Sequence, residues 1–225
     1  MASPTLDPEL ITTAWRRLRA GQGPFTPHPP QPIVDALVAT VLSQHTSDIN
    51  SGRAFAQLKA RFPTWEQVAD APADEVADAI RCGGIAYQKA RRIQRILLTV
   101  EEREGAITLD RLNDLGDEAV ESYLTSLPGV GPKTAACVLV FSMGRNAFPV
   151  DTHVHRLATR LGWIAEGTTA EQAHRLLTPY VPPEIRYDLH VALITHGRTT
   201  CRARQPLCGD CALQDLCPSL RECPP

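Results

Sequence analysis

Aromatic side chains are scarce. Five Phe, three Trp and four Tyr make up 5% of the 225 residues, so Leu, Val, Ile and Ala must supply the core. The chain also lacks a dominant charge: 23 Lys and Arg face 25 Asp and Glu, a net charge of −2. No bulk basic field announces a nucleic-acid partner, and any such partner must be held by a local patch. No apolar run reaches the ~20 residues that span a bilayer, and no signal peptide precedes the first helical pattern. The expectation is a soluble, cytoplasmic chain without a membrane partner. Period-two alternation is missing, so no strand is expected, and there is no low-complexity tract or close internal repeat. With 43% hydrophobic residues, what remains is a globular all-α chain, long enough for one large domain or two small ones.

Helical patterns follow one another along the chain. "LDPELITTAWRRLRAG" reads as a first helix ending at Gly21, and the Pro/Gly-rich residues 21–32 as a linker. "IVDALVATVLSQH" from Ile33 is apolar on most sides, as a buried central helix would be. Asp48 is the expected N-cap of the next helix. "PADEVADAIRCGG" closes at a glycine pair, and "YQKARRIQRILLTVEEREG" is a long, basic, amphipathic helix. Three further helical patterns start at Asp151, Thr169 and Pro183.

Between them lies "LPGVGPKTAACVLVFSMG", residues 127–144. Gly129 and Gly131 permit positive φ and close backbone approach, and Pro132 suits the first position of a helix, where its missing N–H is no loss. The N–H groups of such a turn and helix start form an anion site suited to a phosphate. An ordinary helix–turn–helix corner is the alternative. Lys133 is the odd residue, because the positive end of a helix disfavours a cation.

Seven cysteines in an intracellular chain argue for metal or catalysis over disulfides. "CRARQPLCGDCALQDLC" spaces Cys201, Cys208, Cys211 and Cys217 by six, two and five residues. Zinc sites usually pair two short knuckles across a longer gap; one compact loop with a single CxxC suits a [4Fe–4S] cluster better, with zinc as the alternative. Cys223 falls outside this pattern, and Cys82 and Cys137 read as buried small residues.

The glycine turn resembles the helix-hairpin-helix motif of DNA repair glycosylases. In that superfamily a Pro or Val followed by Asp comes some twenty residues on; here "FPVDTHVHRL" places Asp151 eighteen residues after Lys133. Asp151 also reads as the N-cap of the helix from Thr152. With "LSQHTSD", "GGIAYQKA", "HGRTTC" and the cysteine loop, the chain resembles the endonuclease III family from about Ile33 to Cys217. The resemblance implies a six-helix barrel domain over 27–145 and an iron–sulfur domain built from 1–26 and 146–225, with the active-site cleft between them. It implies a bifunctional glycosylase and AP lyase of base excision repair, acting as a monomer on double-stranded DNA with damaged pyrimidines or abasic sites. Lys133 would attack C1′ of a flipped nucleotide. Asp151 would stabilise the cationic transition state. In the adenine-mismatch branch the matching position is not lysine, which points away from that reading.

For DNA contact the resemblance singles out Gln44 or His45 as the filler of the gap, Ile85 as an apolar wedge, and Gly129, Val130 and Gly131 as the hairpin. Plain core packing is the alternative for Ile85. Lys89, Arg202 and Arg204 are expected to reach the DNA backbone. The alternatives to the whole reading are an AP lyase with weak glycosylase activity and a non-catalytic DNA-binding module, for which neither Lys133 nor Asp151 would be needed.

Overall fold

Asp7 starts the first helix, α1 (Pro8–Gln22), by accepting a hydrogen bond from the N–H of Glu9 at 2.8 Å. In the computed structural model, which describes residues 6–27 and 29–222, ten more α-helices and short single-turn segments follow, and no strand occurs among those residues. The helices sort into two compact units, Pro29–Arg145 and Met1–His28 with Asn146–Pro225.

The Pro29–Arg145 unit is built around α2 (Ile33–Ser43). Seven of its eleven residues are buried, among them Leu37, Val41 and Leu42; each large aliphatic buried in this way contributes roughly 1.5–3 kcal/mol. Its apolar perimeter packs against both α3 (Asp48–Arg61) and α8 (Pro132–Phe141). The cap of α3 is Ser47, whose hydroxyl accepts from the N–H of Asn50, and not Asp48. Asp48 is the first helical residue instead, where its negative charge still favours the helix start. The six-residue α4 (Trp65–Asp70) escapes sequence reading because it is too short to show a period, although Thr64 and Gln67 form a reciprocal capping box at its start. The glycine pair after α5 (Ala73–Ala79) ends a single turn, Arg81–Gly83. Then α6 (Ala86–Glu104) buries Ile93, Ile96, Leu97 and Val100 on one stripe and ends at Gly105, whose φ of 77° closes the helix. The last connection before the hairpin is α7 (Asp117–Thr125), which packs on α8.

In the other unit α9 (Thr152–Arg160) and α1 both pack on α11 (Arg186–Thr199), with α10 (Ala170–Leu177) beside α9. The core holds Ile11, Leu18, Phe148, Val154, Leu157, Trp163, Leu189 and Leu193. Leu213, from the cysteine-rich segment, is buried in the same core. It anchors a stretch that has no long helix of its own. Among the described residues no helix is long and apolar enough to cross a membrane.

Candidate active site

The turn before α8 has the geometry its glycines suggest. Gly129 has φ of 74°, and a Cβ built there would sit 2.9 Å from Arg92 Nε. A side chain is therefore excluded by both conformation and space. Gly131 caps α8 in extended backbone, and Pro132 takes the first helical position. The N–H groups of Gly129 and Gly131 find no acceptor among the described residues. Val130 differs from expectation: its side chain is buried and its N–H donates to Leu127 O at 3.2 Å. It braces the turn and offers no free donor to a ligand. Lys133 is half-buried at the second position of α8, and its side chain makes no hydrogen bond or ion pair among the described residues.

The segment after α2 lies close to that helix start. Gln44 accepts from Arg92 Nη1 at 2.7 Å and extends its amide to within 3.4 Å of Thr134 Oγ1, the residue next to Lys133. Its side chain is thus held within the unit. His45 is exposed, with φ of 54°. Ile85, before α6, is also left-handed, at φ 38°, and 52% exposed; core packing does not describe it. A β-branched residue in that conformation costs roughly 1–3 kcal/mol, and such strain tends to collect at functional sites.

Lys89 overturns its assignment as a backbone-contacting cation. It is only 2% exposed, and its ammonium donates to Leu42 O, Thr46 Oγ1 and Gly83 O at 2.6, 2.6 and 2.8 Å. Its place on the helical stripe of α6, four residues before Ile93, faces it inward among the buried positions. Burial pulls its pKa down, with the nearby Arg92 charge adding to the effect.

In the other unit Asp151 is partly buried and caps α9, accepting from the N–H of Val154 at 2.8 Å. His153 Nδ1 lies 3.1 Å from Arg156 Nη2. Arg156 donates onward to Gly197 O at 2.8 Å and to Cys201 O. One turn later Arg160 donates to Cys201 Sγ at 3.1 Å and to Arg202 O. A single helix therefore runs from the capping carboxylate to the first cysteine of the loop. Sequence reading missed both arginines; their signal is the four-residue spacing on a helix whose start was identified.

Cys201, Cys208, Cys211 and Cys217 line one cavity of about 310 Å³, with Arg160 and Gln214 also in its wall. Besides Arg160, the N–H of Leu213 points at Cys211 Sγ from 3.4 Å, and His196 Nε2 lies 3.4 Å from the same sulfur. Burial raises the thiol pKa of Cys211 and Cys217. Cys201, Cys211 and Cys217 are free thiols. Among the described residues no three His, Cys, Asp or Glu side chains are placed to hold one metal ion. Cys223 lies outside the described residues. Arg202 and Arg204 are exposed, and Arg202 Nε donates to Thr199 O at 3.0 Å. Cys137 is buried, while Cys82 is half-buried with its thiol against Gln57 Oε1 at 3.2 Å.

Comparison with known proteins places this arrangement. Residues 38–183 match the HhH-GPD superfamily of base excision DNA repair proteins. A protein from Arabidopsis thaliana, provisionally named a DNA glycosylase, is 41% identical over 179 residues, which are 80% of this chain and 58% of that protein. Endonuclease III of Escherichia coli K12 is 35% identical over 199 residues, covering 85% of this chain and 88% of its own. Among solved structures, a trapped endonuclease III–DNA covalent intermediate superposes with a TM-score of 0.83 at 26% identity, over 97% of this chain and 99% of that one. The chain thus belongs to the HhH-GPD superfamily of base excision DNA repair proteins, among its endonuclease III-like members.

Proposed function

We propose that this DNA glycosylase and AP lyase removes oxidised pyrimidines from double-stranded DNA and cuts 3′ to the abasic site through a Schiff base on Lys133. The observation that carries the proposal is the side chain of Lys133, partnerless among the described residues, at the start of α8 beside the Gly129–Gly131 turn. A helix corner that served only to bind phosphate would need its backbone donors and not this amine.

The chemistry follows from an amine nucleophile. The neutral Lys133 amine attacks C1′ of the flipped nucleotide, and the N-glycosidic bond breaks with its electron pair leaving on the base. The nitrogen loses its proton, the sugar ring opens, and a Schiff base forms between Nζ and C1′. That imine acidifies the 2′ hydrogens. Removal of one of them drives β-elimination, in which the C3′–O bond breaks and the 3′ phosphate departs. Water as nucleophile would release the base and stop there. Asp151 stabilises the positive charge growing at C1′ and relays protons. Oxidised pyrimidines that have lost aromaticity stack poorly, so they are less costly to extrude than intact bases. His45 and Ile85, the exposed and left-handed residues of the two loops, fill the gap that extrusion leaves.

The cysteine loop suits a [4Fe–4S] cluster in its donor set and spacing. All four cysteines line one cavity, and their single compact loop with one CxxC suits a cluster better than the paired knuckles usual for zinc. Arg160 and the N–H of Leu213 donate to the sulfurs, as donors do in cluster sites, and His196 Nε2 lies beside Cys211 Sγ. Cys201, Cys208, Cys211 and Cys217 are the proposed ligands. Bound there, the cluster would tie the loop together and supply a one-electron couple.

The direct test is a panel of duplexes, each with one lesion. Release of an oxidised pyrimidine with strand cleavage, against little action on an oxidised purine or uracil, is the expected pattern. Cleavage of abasic duplexes with no base release from any member would reduce the protein to an AP lyase.

A further inference from the structure

Lys89 is a costly residue for the place it occupies. An ammonium held away from water is unfavourable unless all its donors are satisfied. Lys89 has three, and they meet three oxygens, Leu42 O, Thr46 Oγ1 and Gly83 O, at hydrogen-bonding distance. All three acceptors are neutral, so no ion pair offsets the burial. A methionine of similar length would fill the same volume without that desolvation. What methionine would not do is grip three oxygens from separate pieces of chain.

Those pieces are informative. Leu42 is in the last turn of α2, and Thr46 lies in the segment that carries Gln44 and His45. Gly83 ends the turn that precedes Ile85. Thr46 also donates its hydroxyl to Gly83 O, so the two loops are joined directly as well as through the ammonium. Each loop holds one non-glycine residue in the left-handed region, His45 at φ 54° and Ile85 at φ 38°. Such conformations persist only where the surroundings over-determine them. Lys89 contacts the end of α2 and both loops through its three donors.

We propose that Lys89 is a positioning residue that clamps the Gln44–Thr46 segment to the Gly83–Ile85 turn, so that His45 and Ile85 enter the DNA stack as one rigid wedge. The proposal rests on the reading of those two residues as the gap fillers. It differs from a phosphate contact in what it predicts. A clamp acts on the damaged site alone, whereas a phosphate contact acts on any duplex.

The experiment uses the full-length protein with a duplex holding one tetrahydrofuran abasic analogue and 2-aminopurine in the opposite strand, whose fluorescence rises when its stack is opened. Lys89→Met, Ile85→Ala, His45→Ala and the double variant Ile85→Ala/Lys89→Met are compared with wild type. Binding to an undamaged duplex is titrated across salt in parallel. The expected result is that Lys89→Met keeps its helical circular dichroism and its affinity for undamaged duplex, while the fluorescence rise drops at least fivefold. Ile85→Ala should lose the rise as well, and the double variant should lose no more than the worse single one, since the two act as a unit. A rise within twofold of wild type in Lys89→Met, with Ile85→Ala defective, would overturn the clamp. So would a fall of about one in the slope of log affinity against log salt, which marks a lost phosphate contact. If Ile85→Ala and His45→Ala both keep the full rise, the wedge reading fails and takes the clamp with it. Should Lys89→Met fail to fold, Thr46→Val removes one acceptor and is judged by the same signal, with a two- to threefold loss expected and an unchanged signal overturning the proposal.

Discussion

Asp151 caps α9 and is the proposed electrostatic group of the reaction, and one substitution separates the two roles. As the cap of α9 it needs only an oxygen that accepts from Val154 N–H. As an electrostatic group it needs the charge. Asp151→Asn keeps the first and removes the second, so the helix from Thr152 should persist with little loss of stability. Single-turnover cleavage of a thymine-glycol duplex should slow by ~100- to 1,000-fold, while affinity at fixed salt holds or tightens, because a carboxylate facing DNA repels phosphate. Cleavage within twofold of wild type together with a lower melting temperature would leave Asp151 as a cap alone. At this scale the sequence was legible where a residue type is rare in its local setting. A lysine after a proline at a helix start stands out, and so does an aspartate opening a helix. Lys89 misled because a basic residue on a basic helix reads as solvated; only its register with Ile93, Ile96 and Val100 marks it as inward-facing. Val130 misled because a glycine-rich turn suggests free donors throughout, although one of its N–H groups must close the turn on Leu127.

At the scale of elements, α9 links chemistry to architecture. Its first turn is capped by Asp151, its middle sends Arg156 to the end of α11, and its last turn sends Arg160 to Cys201. The cysteine loop that it meets is held by Leu213 in the core and by Arg17 on α1, paired with Asp215. These ties give a measurable expectation for the cluster. Protein purified without oxygen should contain about four irons per chain, and Cys211→Ala should lose most of them. Cys223→Ser should leave iron content unchanged, since that residue lies outside the six-two-five spacing. One zinc with no iron would contradict the assignment. Most helices were legible because their apolar stripes span several turns. The exceptions have physical reasons: α4 has too few residues to show a period, and the start of α3 offers two adjacent capping residues, of which Ser47 is the one used.

Across the whole chain, two compact units arise from one sequence whose middle portion, Pro29–Arg145, is continuous and whose other portion joins the two ends. The near-balanced charge leaves DNA recognition to local features, for which the proposed candidates are the donors of Gly129 and Gly131, the exposed arginines of the cysteine loop, and two strained residues on adjoining loops. Paired motifs made this partner legible in a sequence with no basic excess. The lesion spectrum was not legible, because it depends on the shape around a flipped base and not on any spacing of residue types. The central claim, that Lys133 is the nucleophile, is most directly tested by borohydride trapping on a duplex with one abasic site. Reduction of the Schiff base should leave wild-type protein covalently joined to the DNA. Lys133→Gln should give no trapped species while binding the same duplex with nearly unchanged affinity. Trapping by Lys133→Gln at the wild-type rate would contradict the account.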